Sequence, residues 1–409
     1  MKVNEQLPFL AGTLCPVRKK ESNMMTSSIK KSLNLLIGCG LIAISHSAWA
    51  ITCGYGPDAG MHAITVPLSP PTISAGADIP LGTIIYQGVW TNAPAVHVSC
   101  SASGVVFNWA VGIAQAPRAL SGWNSGPFAG AIYQTDIPGI GVAISRYNNR
   151  APATLGTFGY RDADFSYDDT GGFNFGAASR YISLIKIGPL TPGNYSLSAA
   201  SLPIATDTMV NSPTSASPPL VGLPLVLNRV TFQGSLTIST QTCTTPDFSV
   251  DLGSHDIREK FRGINSTTSW VDASVSLINC PTFHGFYNQT NTTQMMNFDT
   301  GVGTVSSAIN NSIGVRLTPT GEVIDAANGV MAIDTTLPDA ASGVGIQLGW
   351  GESSQLPTPF NFATEQAQTL PKDGRSTIRV PLAARYIQTA TTPTPGKANG
   401  KVVFTINYY

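Results

Sequence analysis

Charge is what this chain has least of: only 11% of its 409 residues are Asp, Glu, Lys or Arg. Lys2, Arg18, Lys19, Lys20, Lys30 and Lys31 fall in the first 50 residues, with Glu5 and Glu21. That leaves 17 of the 23 basic and 21 of the 23 acidic residues beyond position 50. A mildly acidic body without basic clusters excludes nucleic acid as a partner. Long helix-forming runs are missing, and no strand–helix alternation appears, which excludes a parallel α/β sheet. His62, His97, His255 and His284 are dispersed, without the HExxH spacing of a zinc enzyme. No GxSxG elbow is present. Asp162-x-Asp164-x-x-x-Asp168-Asp169 lacks the spacing and the glycine of an EF-hand, so no metal is expected. With no catalytic motif and no cofactor motif, the chain reads as a non-enzyme.

What is abundant points to export and to β structure. Gly (40), Pro (29) and many Ser, Thr and Asn supply turns. Lys30-Lys31, the apolar Leu33 to Ile44 and the small-x-small ending Ala48-Trp49-Ala50 read as a signal peptide cleaved after Ala50. The apolar run is too short to span a membrane comfortably. Residues 1–23 are a polar extension ahead of Met24-Met25, and either end of that stretch could hold the true start.

Cleavage leaves Cys53, Cys100, Cys243 and Cys280. An even number in an exported chain favours disulfides over metal ligation and leaves no thiol nucleophile. Four cysteines allow three pairings. Joining sequence neighbours, Cys53–Cys100 and Cys243–Cys280, puts one bridge in each half, each worth about 4 kcal/mol in the chain-entropy picture. Length and cysteine placement both divide the chain into 51–240 and 243–409, with a hinge at 241–242. The Pro- and Ser-rich stretch Ser201 to Pro224 is the competing boundary. Strands are expected at Ile140–Ser145, Tyr181–Ile187, Tyr195–Ala200 and Arg229–Thr240 in the first half. In the second they are expected at Phe248–Leu252, Val271–Asn279, Ser312–Thr318, Gly345–Trp350, Ser376–Leu382 and Lys401–Tyr409. Short strands at this density suit a sandwich.

The final strand is the most informative. Val402, Phe404, Ile406 and Tyr408 occupy one face, and Gly396 stands fourteenth from the end. Cys243 with Pro246-Asp247, Val250-Asp-Leu-Gly253, Leu277-Ile-Asn-Cys-Pro281 with Gly285, and Ile313-Gly-Val-Arg-Leu-Thr318 with Gly321 and Ile324 precede it. Pro381-Leu-Ala-Ala-Arg-Tyr-Ile387 and Pro395-Gly-Lys-Ala-Asn-Gly400 complete the series. In order and spacing this half resembles the pilin domain of two-domain chaperone–usher fimbrial tip adhesins, especially those of type 3 and type 1 fimbriae. The resemblance implies an all-β protein of two immunoglobulin-like sandwiches, the second lacking its last strand. It implies a periplasmic pilus chaperone, an outer-membrane usher and a neighbouring subunit as partners, the latter lending a strand. Gly396, Val402, Phe404, Ile406 and Tyr408 would line that interface. Cleavage after Ala50 would leave only Ile51-Thr52 ahead of Cys53, so the subunit would accept a strand and lend none. Its place would be the fimbrium tip, at the cell surface.

Such a tip domain implies a host glycan or matrix-protein receptor, with a non-binding structural tip subunit as the alternative. Alternating strand directions put Tyr147 to Gly172 at the distal end, beside the Pro-rich loop. Tyr147, Asn148, Arg150, Tyr160, Arg161, Asp162 and Asp164 concentrate aromatic and charged groups there, and Arg146, Tyr167, Asp168 and Asp169 flank them. Trp123 is a further candidate platform. Ser101-Ala-Ser-Gly104 after Cys100 lacks the polar cluster of the mannose-binding members. Type 3 adhesins are associated with matrix protein such as collagen.

Overall fold

A computed structural model describes residues 50–409 apart from Thr170 and Ala177. The leader expected at 1–50 therefore lies, but for Ala50, outside the described residues. The chain is all-β, and among the described residues no helix is long and apolar enough to cross a membrane.

In the first half, one sheet runs Phe165–Tyr167, Val105–Gln115, Ile204–Asn211, Leu225–Gln233, His62–Pro67. The facing sheet runs Val302–Thr304, Thr293–Asn297, Ile84–Thr91, Arg180–Lys186, Ile140–Tyr147, Tyr133–Gln134. Val111, Ile113, Ala205 and Val230 meet Ile85, Tyr86, Val142, Ile144, Ile182 and Leu184 in a common core. A second cluster above it is aromatic, with Phe107, Trp109 and Phe175 buried and Phe165 and Phe173 packed against them. Between the two lies a charged layer. Arg180 Nε stands 2.5 Å from Asp207 Oδ1, and both side chains are 0% exposed. The pair ties one sheet to the other across the interior.

The long strand expected at Arg229–Thr240 is broken. Gly234 takes φ 86°, a left-handed conformation that favours glycine, and there the chain leaves one sheet for another. Leu225–Gln233 pairs with Ile204–Asn211, whereas Ser235–Ser239 pairs with Asn194–Ser198 and, in parallel, with Thr72–Ser74. The alternative boundary at Ser201–Pro224 is corrected by the same sheet: Ile204–Asn211 is an interior strand, so this stretch does not link two bodies.

In the second half, Val271–Asp272, Leu382–Gln388, Val344–Trp350, Val330–Ala332 and Val323–Asp325 form one sheet. Gln366–Thr369, Ser312–Pro319 and Val402–Tyr408 form a facing one, with Val315, Leu317, Ile346, Leu348 and Phe360 between. Val275–Leu277 pairs with Ile378–Val380. The strand expected at Phe248–Leu252 does not form: among the described residues this run has no ladder partner, and it is largely exposed. The hairpin Thr293–Asn297/Val302–Thr304 departs from this half altogether and joins the first half's sheet. Both disulfides, Cys53–Cys100 and Cys243–Cys280, pair sequence neighbours as expected.

Candidate functional site

Two places carry the features singled out in the sequence. At the first, the antiparallel return of Ile140–Tyr147 into Arg150–Pro152 makes a tight hairpin, with Tyr147 opposite Arg150. The Tyr147 ring lies between two cations: Arg150 Cζ is 4.3 Å and Arg146 Cζ 4.9 Å from its centroid. Arg150 also pairs with Asp162 at 2.7 Å, and the Asp162 N–H donates to the Tyr147 hydroxyl at 3.2 Å. Arg161 lies over Phe165 at 3.9 Å. Asn108 holds the next turn, its Nδ2 donating to Asp164 Oδ1 (2.8 Å) while its Oδ1 accepts the Arg161 N–H (2.9 Å).

The second Asp164 oxygen accepts from Ser212 (2.5 Å) and Thr214 (3.2 Å) of the Pro-rich loop. Partial burial pushes the Asp164 carboxyl up, but the hydrogen bonds from Ser212, Asn108 and Thr214 outweigh it and leave the group below its usual value. The Pro-rich loop and the Tyr147–Asp169 loop thus meet at one end. Beneath them, Trp109 has Arg180 at 4.9 Å and Arg146 at 5.8 Å over its ring. Burial lowers both guanidiniums, that of Arg180 to about 10, and pushes the Asp207 carboxyl up. Trp109, Arg180 and Asp207 hold no sequence signal beyond being polar groups in apolar strands, yet they form the floor of the cluster.

The structure brings together Tyr147, Arg150, Arg161, Asp162 and Asp164. Tyr160 stands beside them against Phe158, ring centroids 6.2 Å apart. Asn148 faces elsewhere, its Nδ2 reaching Gln289 O at 3.4 Å. Trp123 is not part of the group. It covers Gly82 near the Lys186 end of the sheet and walls an open recess of about 360 Å³ with Leu81, Pro127 and Phe128. Among the described residues no three His, Cys, Asp or Glu side chains are placed to hold a metal. Asp162 and Asp164 are already taken by Arg150, Asn108, Ser212 and Thr214.

The second place is the outer edge of Val402–Tyr408. This strand pairs on one side with Ser312–Pro319 and ends its sheet on the other. Tyr409 exchanges both backbone bonds with Ser312, so the N–H and C=O of Tyr408 turn to the outer edge. By alternation those of Ile406, Phe404 and Val402 turn the same way, and among the described residues no strand meets them. Their side chains lie inward against the core, and Phe404 faces Phe248 of the unladdered run at 6.1 Å. Tyr408 is buried, and its hydroxyl accepts the Cys243 N–H at 3.1 Å. Gly396 lies away from this edge, where a Cβ would stand 2.5 Å from Ala341 N and Asp339 O.

Residues 230–409 match the family model described as Fimbrial protein. Over 386 residues the chain is 25% identical to a protein of Klebsiella pneumoniae described as "Fimbria adhesin protein", covering 92% of this chain and 99% of that one. The solved tip adhesin CupB6 of Pseudomonas aeruginosa is 13% identical with a TM-score of 0.30, over 87% of this chain and 94% of that one. The receptor-binding domain of the adhesin MrkD1P of Klebsiella pneumoniae is 15% identical with a TM-score of 0.27, over 47% of this chain and 98% of that one. Scores of that size add nothing to the case. Along nearly its whole length the chain is thus similar to a fimbrial adhesin, and its residues 230–409 match a fimbrial protein model.

Proposed function

We propose that the protein is the tip subunit of its fimbrium. Its 51–240 half attaches the bacterium to a host glycan or matrix protein. Its 243–409 half is completed by a strand from a periplasmic chaperone, then from the neighbouring subunit, on passage through an outer-membrane usher. The observation that carries this reading is the unpaired edge of Val402–Tyr408 beside the unladdered Phe248–Leu252 run. An edge with open backbone groups and apolar side chains is an aggregation hazard unless another chain covers it. Receptor binding belongs to the Tyr147, Arg150, Arg161, Asp162 cluster, where aromatic faces, guanidiniums and a carboxylate share one surface.

The test uses the full exported chain purified with its chaperone on a glycan and matrix-protein array. Binding that falls at least tenfold, about 1.4 kcal/mol, in Tyr147→Ala or Arg150→Ala supports the reading. Fimbriated cells that adhere equally well with these variants would identify a structural tip subunit instead. Edge completion is read separately: Phe404→Asp is expected to abolish recovery of the chaperone complex.

A further inference from the structure

The hairpin that crosses from the second half to the first has a job beyond filling a sheet edge. Thr293–Asn297 runs parallel to Ile84–Thr91, with Thr293 opposite Gly88, Gln294 opposite Val89, Met296 opposite Trp90 and Asn297 opposite Thr91. Met295 is 1% exposed and belongs to the first half's core. Gly88 makes room for it, since a Cβ there would stand 2.5 Å from Met295 Sδ. Polar contacts fasten the rim: Asn92 Nδ2 donates to Asn297 Oδ1 (3.1 Å) and Asp299 Oδ2 (2.6 Å), and Gln294 Nε2 donates to Thr91 Oγ1 (2.9 Å).

One contact reaches further. Gln87 is fully buried, and its Oε1 accepts the Thr292 hydroxyl at 2.7 Å. Its Nε2 donates to Ser183 Oγ (2.8 Å) and to the Asn148 carbonyl, inside the Tyr147–Arg150 hairpin. A buried amide is orientated by whichever partners take its oxygen and nitrogen. Thr292 fixes the oxygen, so it also fixes the direction in which the nitrogen meets Asn148.

We propose that Thr293–Thr304 is a clasp that makes the two halves one body, and that Thr292, acting through Gln87, is a positioning residue for the Tyr147–Arg150 hairpin. The second clause rests on the reading of that hairpin as receptor-binding. The first does not. Motion at 241–242 then requires breaking a ladder and withdrawing Met295 from the core.

Hydrogen exchange on the full exported chain with its chaperone tests the clasp without any substitution. The amides of 293–297 are expected to exchange as slowly as those of Arg180–Lys186. Exchange as fast as the exposed Ser354–Leu356 turn would overturn the clasp. In Thr292→Val, loss of one buried hydrogen bond is expected to speed exchange at 147–150 by about five- to tenfold while 180–186 stays as in the wild type. Unchanged exchange at 147–150 would overturn the positioning role. Array binding is measured on the same samples: a wild-type protein that binds nothing defeats the receptor reading and leaves the exchange result to decide the clasp.

Discussion

Asp78 and Tyr408 are bonded in both directions: the Tyr408 N–H donates to Asp78 Oδ2 at 2.8 Å, and the Asp78 N–H donates to Tyr408 O at 3.0 Å. The first half thereby takes the last outward-turned peptide group of the open C-terminal edge. Its loop is held for this purpose. Lys186, itself buried, donates to the carbonyls of Ala77 and Ile79 on either side. Gly76 lets the two segments touch, because a Cβ would stand 2.0 Å from Tyr408 O.

Asp78→Ala strands the Tyr408 N–H in a nearly buried position. The expected cost is about 1–3 kcal/mol, the range for a donor left unsatisfied. Denaturant unfolding of the full chain with its chaperone measures it, and faster exchange confined to the 406–409 amides locates it.

The Arg180–Asp207 pair predicts an asymmetry. Arg180→Leu or Asp207→Leu alone leaves a buried charge without its counterpart and is expected to cost about 3–5 kcal/mol. Replacing both with apolar residues together is expected to restore most of the loss, since neither charge then has to be desolvated. Midpoints of denaturant unfolding for the two singles and the double give the coupling directly.

Asp164 gives a pH dependence of definite sign. Its carboxyl lies below the ordinary value of 3.8 in the folded state. A depressed carboxyl contributes stability that is fully present above the unfolded value and lost as pH falls through the folded one. The tether between the Pro-rich loop and the distal cluster is therefore expected to loosen below pH 3.8. Melting temperatures taken between about pH 5 and pH 2 should fall less steeply in Asp164→Asn than in the wild type.

Opening the Cys243–Cys280 bridge by a double Ser replacement is expected to cost about 2–5 kcal/mol and to lower the yield of exported protein. Yield in the periplasmic fraction and unfolding midpoint check it.

The sequence disclosed what periodicity and cysteine spacing can encode. Val402–Tyr408 alternates cleanly because one face meets a core and the other does not. The Leu190–Gly193 turn falls beside Thr240, which donates to Thr191 O at 2.6 Å, as strand alternation requires. What stayed hidden has physical causes. Ile204–Asn211 (IATDTMVN) sits mid-sheet with Thr206, Asp207 and Thr208 buried, and the cation that pairs with Asp207 comes from a distant strand. Thr293–Asn297 (TQMMN) reads as loop because its partner strand lies some two hundred residues earlier and its alternation is interrupted by a register shift. Phe248–Leu252 alternates as a strand should but has no neighbour to bond among the described residues, so the pattern is present without the ladder. Trp123 fell apart from the distal cluster because an exposed-looking turn gives no sign of which end of a sheet it flanks.

The joint at Gly234 also fixes how the molecule meets a pull. The share of a pull that enters at Thr240, rather than through the Thr293–Asn297 ladder, runs up Ser235–Ser239, which is gripped on both sides by Asn194–Ser198 and Thr72–Ser74. Those rungs lie across the line of force, so they are loaded in shear and share it, where a hairpin peeled from its end would lose them one by one. Unfolding under load would then proceed at a rate set by breaking the whole set together.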